Sequence, residues 1–210
     1  VTSEAWAGTR IPLALKLAVT VWLVVWVPVY WRAHGPQNFL WFCDLANFLI
    51  AAALWTGSRL LFSSQAIAVL AAQILWVLDV VGRLALGLHP IGGTEYMFDA
   101  ATPLALRLMS LFHVAALILL VWGVRRLGYD ARGLPLQLAI AAVILPVSWL
   151  FGPGCNLNWT WGPFGGVQQA LPPLLYLALL PFGYLLVLYL PTHWALRRWV
   201  PLEPADRLTT

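Results

Sequence analysis

Lysine is almost missing from this 210-residue chain: Lys16 is the only one. Charged residues of every kind make up just 10% of it, whereas soluble domains run near one quarter. Together with 61% hydrophobic residues and a mean hydropathy of +0.81, this shortage excludes a soluble globule, because no soluble core could hide so much apolar surface. The solvent must be lipid. The dispersed arginines form no basic stripe with interleaved aromatics, which excludes a nucleic-acid partner. Cysteine is nearly as scarce. Cys43 and Cys155 make no disulfide framework, and no His/Cys spacing resembles a metal site. Walker-type loops, internal repeats and low-complexity tracts are all lacking, so no nucleotide, metal or other cofactor is implied.

What is present is long apolar runs. Six predicted spans cover about residues 11–31, 38–56, 65–87, 104–123, 134–151 and 171–191, each near the roughly 20 residues that cross hydrocarbon. The expectation is an all-α, polytopic six-helix membrane bundle forming one domain over 1–210. The run 11–31 is too long for a signal-peptide core and reads as a retained first helix. Pro28, Pro146 and Pro181 fall inside spans, where kinks are expected. The thirteen tryptophans, several near span ends, suit interfacial belts.

Charge placement predicts the topology. Arg10, Arg59, Arg125, Arg126, Arg132, Arg197, Arg198 and Arg207 fall on one side of the predicted bundle. Only Arg32 falls in the loops of the other side. The positive-inside rule then puts both termini in the cytoplasm of a multi-pass inner-membrane protein.

With that orientation, the ionisable residues inside spans gather in the outer half. Cys43 and Asp44 lie roughly 7–9 Å below the outer end of the second span, Asp79 about 12 Å and Arg83 about 6 Å below that of the third, and Arg107 about 5 Å and His113 about 14 Å into the fourth. Gln73, Trp76, Asp79 and Arg83 share one helical stripe, as do Arg107, Ser110 and His113. Asn47 follows Cys43 by one turn. Ionised groups at a span centre cost around 2.5–3.5 kcal/mol, so three helices bearing them at similar depth predict a shared interior cavity. The inner half reads as apolar.

Each residue also has a plainer role. Asp79 and Arg83 are spaced to neutralise each other, and Asp44 could pair with Arg83 or Arg107. Cys43 could be a small buried hydrophobe or pair with Cys155. His113 could be a packing residue, and Asn156 and Asn158 could shape their loop. Taken together, a thiol, an imidazole and a carboxylate are the parts of nucleophilic acyl transfer.

At these residues the chain resembles a known family. "LWFCDLANFLI", "LFHVAALILLVWG" and "NLNWTWGPFGG" resemble motifs of the YwaF-like bacterial integral membrane proteins, in matching order along six spans. The chain departs from their pattern at Phe42, Val114 and Trp159. That family is grouped with Cys/His multi-span lysophospholipid acyltransferases and is similar in architecture to the androgen-induced Thr/His hydrolases. The resemblance implies a lipid acyltransferase or lipid-ester hydrolase with Cys43 as nucleophile and His113 as base, acting on membrane lipids. Asp44 or Asp79 would orient His113, and Asn47, Arg83, Arg107 and Asn158 would bind head group or oxyanion. The rival expectations are a small transporter or channel-like protein, since intramembrane Asp, Arg and His also mark pathways, and a non-catalytic subunit of a membrane complex.

Overall fold

The structure is a computed structural model that describes residues 11–163 and 166–200. Arg10 and Arg207 lie outside the described residues. Among those described, all regular structure is helical. The order is α1 (Leu13–His34), α2 (Phe42–Thr56), α3 (Arg59–Leu86), α4 (Leu104–Met109), α5 (Phe112–Leu127), α6 (Gly133–Trp149), α7 (Pro173–Tyr184) and α8 (Leu190–Trp199). Four stretches are long and apolar enough to cross a membrane: Leu13–His34, Arg59–Leu86, Leu104–Leu127 and Pro173–Trp199. α2 and α6 are apolar but shorter.

Several boundaries differ from expectation for local reasons. The predicted loop before the third span shrinks to two residues. Gly57 ends α2 in a left-handed conformation (φ 66°), and the Ser58 side chain caps α3 by accepting from the Leu61 N–H at 3.2 Å. α3 therefore starts at Arg59 and runs for 28 residues. The second helix starts late. Gly35 (φ 80°) and a 3-10 turn at Pro36–Leu40 reverse the chain first, so Cys43 and Asp44 occupy the first turn of α2 rather than a position well inside it. The fourth span breaks between α4 and α5, where i→i−3 bonds from His113 to Ser110 and from Val114 to Leu111 tighten the backbone. His113 is thereby the second residue of α5, as Cys43 is of α2. The last span runs from α7 through a π turn (Leu185–Tyr189) into α8. Pro28, Pro146 and Pro181 are all absorbed within helices.

α3 is the central post and packs against α2, α5, α6 and α8. Its stretch from Phe62 to Val69 is buried on every side, which explains why an eight-residue run with Ser63, Ser64 and Gln65 inside it shows no amphipathic stripe. Close approach to α6 depends on Gly133. A Cβ there would stand 2.8 Å from the Ser64 backbone nitrogen and 2.9 Å from the Ser63 carbonyl carbon.

The interior near this end is polar, against expectation. The Gln65 Nε2 donates to Ser64 Oγ (3.2 Å), Ser64 Oγ to Gln137 Oε1 (3.5 Å) and Gln137 Nε2 to the Tyr189 hydroxyl (3.2 Å). All four residues are buried. These polar residues are uncharged and sit on helices that otherwise read as apolar, so the distribution of ionisable groups does not reveal them.

Contacts also sort the loops into two ends. At one end, Ser63 accepts from the Asp130 N–H, Arg132 and Arg59 flank the Asp130 carboxylate, and Tyr129 bonds His193 of α8. At the other, Asn158 contacts both Leu40 and Phe42, and Arg107 reaches the Met97 carbonyl.

Candidate functional site

The second end carries the residues singled out in the sequence, but it pairs them differently. Asp79 is buried and faces the loop 87–103. Its Oδ1 accepts the Ile91 and Gly92 N–H groups at 2.8 Å each, and its Oδ2 meets His89 Nδ1 at 2.8 Å and the Thr94 hydroxyl. Gly82 admits this loop, since a Cβ there would lie 2.6 Å from the Pro90 ring. Asp79 is thus the anchor of the loop and is not bonded to His113. Arg83 does not neutralise it. The Arg83 guanidinium donates to the Gly87 carbonyl at the end of its own helix and lies over the Phe98 ring at 5.7 Å.

Asp44 also has a partner of its own. It accepts from the Asn38 carboxamide at 2.5 Å and makes no ion pair with Arg83 or Arg107 among the described residues. Its place in the first turn of α2 is where a helix dipole favours negative charge. Asn47 donates back to the Cys43 carbonyl at 3.1 Å. Asn158 holds a left-handed backbone (φ 50°) and spends its whole amide internally. Its Oδ1 accepts the Phe42 N–H at 2.9 Å, and its Nδ2 donates to the Leu40 carbonyl at 2.7 Å and Ser148 Oγ at 3.0 Å. These three residues shape the start of α2 and leave little for a ligand. Arg107 keeps more in reserve: Nη1 reaches Met97 at 3.4 Å, and its buried Nε has no partner.

His113 is positioned by groups the sequence reading assigned otherwise or passed over. Its Nδ1 donates to Oε1 of the fully buried Gln73. That bond fixes the tautomer and leaves Nε2 with the lone pair. The ring lies between two aromatic faces, Trp76 at 4.6 Å and 15° and Phe112 at 4.2 Å and 23°. Gln73 therefore stands where a carboxylate was expected. The shared stripe of Gln73 and Trp76 on α3 carries the signal, but spacing alone also puts Asp79 on it.

The surrounding wall closes on itself. Trp26 packs on Phe112 at 5.5 Å and on Tyr30 at 4.9 Å. The Tyr30 and Ser110 hydroxyls meet at 2.9 Å, and Ser110 also reaches the Leu106 carbonyl. Tyr96 lies beside Ser110 and accepts from Trp76 Nε1 at 3.2 Å. Trp76 returns to His113. Tyr96 comes from the loop that Asp79 anchors, and burial raises its phenol above the ordinary tyrosine value. No sequence spacing announced it.

Cys43 is half-buried and packs against the Trp26–Tyr30–Phe112 cluster. No hydrogen bond joins the thiol to His113, and backbone N–H groups of its own helical turn, that of Asp44 among them, approach the sulfur. Cys155 is exposed, and both cysteines are free. The arrangement gathers a free thiol, an imidazole of fixed tautomer and several N–H donors within one aromatic-walled region, with no carboxylate on the imidazole. No group of His, Cys, Asp and Glu among the described residues could hold a metal ion. No known protein family, curated protein or solved structure matches the chain.

Proposed function

We propose that this chain is a six-span protein of the bacterial cytoplasmic membrane, with both termini in the cytoplasm, that acts as a lipid acyltransferase or lipid-ester hydrolase through Cys43 and His113. The observation that carries the chemistry is the Gln73–His113 bond. It holds a neutral imidazole with its Nε2 lone pair available, in the same aromatic-walled region as a free thiol. Direct general-base contact then has to tighten on binding substrate, as catalytic hydrogen bonds often do.

In the first half-reaction, Cys43 Sγ attacks the carbonyl carbon of a lipid ester. His113 Nε2 takes the thiol proton and returns it to the leaving alkoxide oxygen as the C–O bond breaks, leaving an acyl-thioester. In the second, His113 takes a proton from water or a lysolipid hydroxyl. That oxygen attacks the thioester carbonyl, the C–S bond breaks, and the proton returns to the thiolate. N–H donors near the carbonyl oxygen supply the charge stabilisation that such a step needs.

Two features support the topology. Loops 57–58 and 128–132 share one end with α8, while segments 35–41, 87–103 and 150–163 share the other, so every long segment runs from end to end. Arg59, Arg125, Arg126, Arg132, Arg197 and Arg198 belong with the first end, which favours placing it in the cytoplasm.

An alkyl-chain thiol probe such as a long-chain iodoacetamide tests the site. Cys43 is expected to label, and His113→Ala to suppress labelling while the protein keeps its elution profile and melting point. Full lipid turnover by Cys43→Ala would sink the reading. A second reading, a small solute carrier, is favoured by the buried Ser64–Gln65–Gln137–Tyr189 layer, which extends polar groups into the cytoplasmic half. Its signature is solute or proton flux in proteoliposomes that survives Cys43→Ala.

A further inference from the structure

Gln73 uses half of its polar capacity. Its side chain is completely buried. Oε1 accepts from His113, while Nε2, on the same carboxamide, has no partner. Leaving such an N–H buried and unpaired costs about 1–3 kcal/mol. The other buried polar atoms without partners among the described residues are Trp26 Nε1, Arg107 Nε and Trp149 Nε1, and every one is a nitrogen donor. Trp26 belongs to the same wall as His113, through Phe112. Apart from the His113 Nε2 lone pair, the buried polar atoms left over are donors, which favours a ligand group that only accepts. The neighbouring Val27, Phe39, Leu106 and Met109 are apolar and suit a hydrocarbon tail.

We propose that Gln73 is a two-handed residue: Oε1 holds the His113 ring, and Nε2 hydrogen-bonds the carbonyl oxygen of a long-chain acyl ester. The ligand is an acyl chain headed by an acceptor-only oxygen, and a cationic or purely hydrocarbon head is discriminated against. The inference rests on the acyl-lipid reading above and supplies its substrate-orienting contact. Because the donor is attached to the group that orients the base, an ester bound there is placed close to the imidazole.

The test is binding, which does not require turnover. Full-length Cys43→Ser protein in lipid nanodiscs is titrated with methyl palmitate isotopically labelled at the carbonyl. The carbonyl infrared band is followed, with hexadecane and hexadecylammonium as tail-matched competitors. The expected result is saturable binding with the carbonyl band moved to lower frequency and weak competition by both competitors. Adding Gln73→Met should lose the shifted band and weaken binding about tenfold, the size of one hydrogen bond. An unchanged band and affinity in Gln73→Met overturns the proposal. Preferential binding of hexadecylammonium to the Gln73-intact protein also overturns it, since that would place an oxygen at the unpaired position, and this measurement needs no Gln73 variant. If Cys43 proves unreactive while the shifted band persists, the catalytic reading fails and the acyl-ester site stands.

Discussion

The Phe42 backbone N–H donates to Oδ1 of Asn158 at 2.9 Å across 116 residues of sequence. A helix leaves its first N–H groups unsatisfied, and here a side chain from a distant loop takes one of them, one residue before the thiol. The same carboxamide holds the Leu40 carbonyl and Ser148 Oγ, so the segment 150–163 clamps the start of α2. Asn158→Ala removes three bonds from buried groups and forces alanine to keep a left-handed backbone. The expected loss is about 2–4 kcal/mol, read from thermal melting in detergent. Faster alkylation of Cys43 should accompany it, because the first turn of α2 is released. An unchanged melting point would show that the clamp is not stabilising.

Asp79 is predicted to be a local anchor. Asp79→Ala frees the Ile91 and Gly92 amides and the Thr94 hydroxyl together, at a cost of roughly 3 kcal/mol confined to the loop 87–103. Hydrogen exchange should quicken at Ile91 and Gly92 and stay slow through α6. Exchange that rises equally in both would point to a global role instead.

Acid sensitivity is expected at the opposite end. Hydrogen bonding from Arg132, reinforced by the charges of Arg132 and Arg59, holds the Asp130 carboxyl below its ordinary value. A depressed carboxylate contributes stability that is complete above its unfolded value, near 4, and is lost as pH falls through the lower folded value. Asp130→Asn should therefore lower stability at neutral pH and flatten the acid side of the pH–stability curve below about pH 4. Parallel curves for the two proteins would remove Asp130 from the acid limb.

Gly133→Ala should strain the α3–α6 contact. The added methyl would meet backbone rather than a movable side-chain tip, and overpacking of this kind costs about 1–3 kcal/mol. Gly154, which has nothing within 4 Å of a built Cβ, is the matched control, and Gly154→Ala should be near neutral. Equal melting points for the two variants would contradict the close approach.

Much of the helical bundle could be read from hydropathy, because apolar runs of span length have few other uses. The boundaries were harder. Ser58 as a cap and Gly57 as a stop explain the tight α2–α3 turn, yet nothing in composition separates them from an ordinary loop. The site was legible as a set of residues gathered at one end and illegible as a set of pairs. Helical spacing put Gln73 and Trp76 on the stripe of Asp79, but it could not say that the stripe divides, with Gln73 and Trp76 turned to His113 and Asp79 to the loop. Asn38, Tyr96 and Asn158 act through chain reversals, and periodicity carries no information about those.

The layer formed by Ser64, Gln65, Gln137 and Tyr189 has a consequence for how the helices settle. Lipid offers no hydrophobic reward for one packing of apolar helices over another, and leucine-rich faces can slide or rotate among many near-equal alignments. Four interlocking polar groups satisfy one another in only one of them. The layer acts as an index mark that fixes α3, α6 and the π turn before α8 in rotation and in height, and it sets the alignment from which the middle of α3 presents Gln73 to His113.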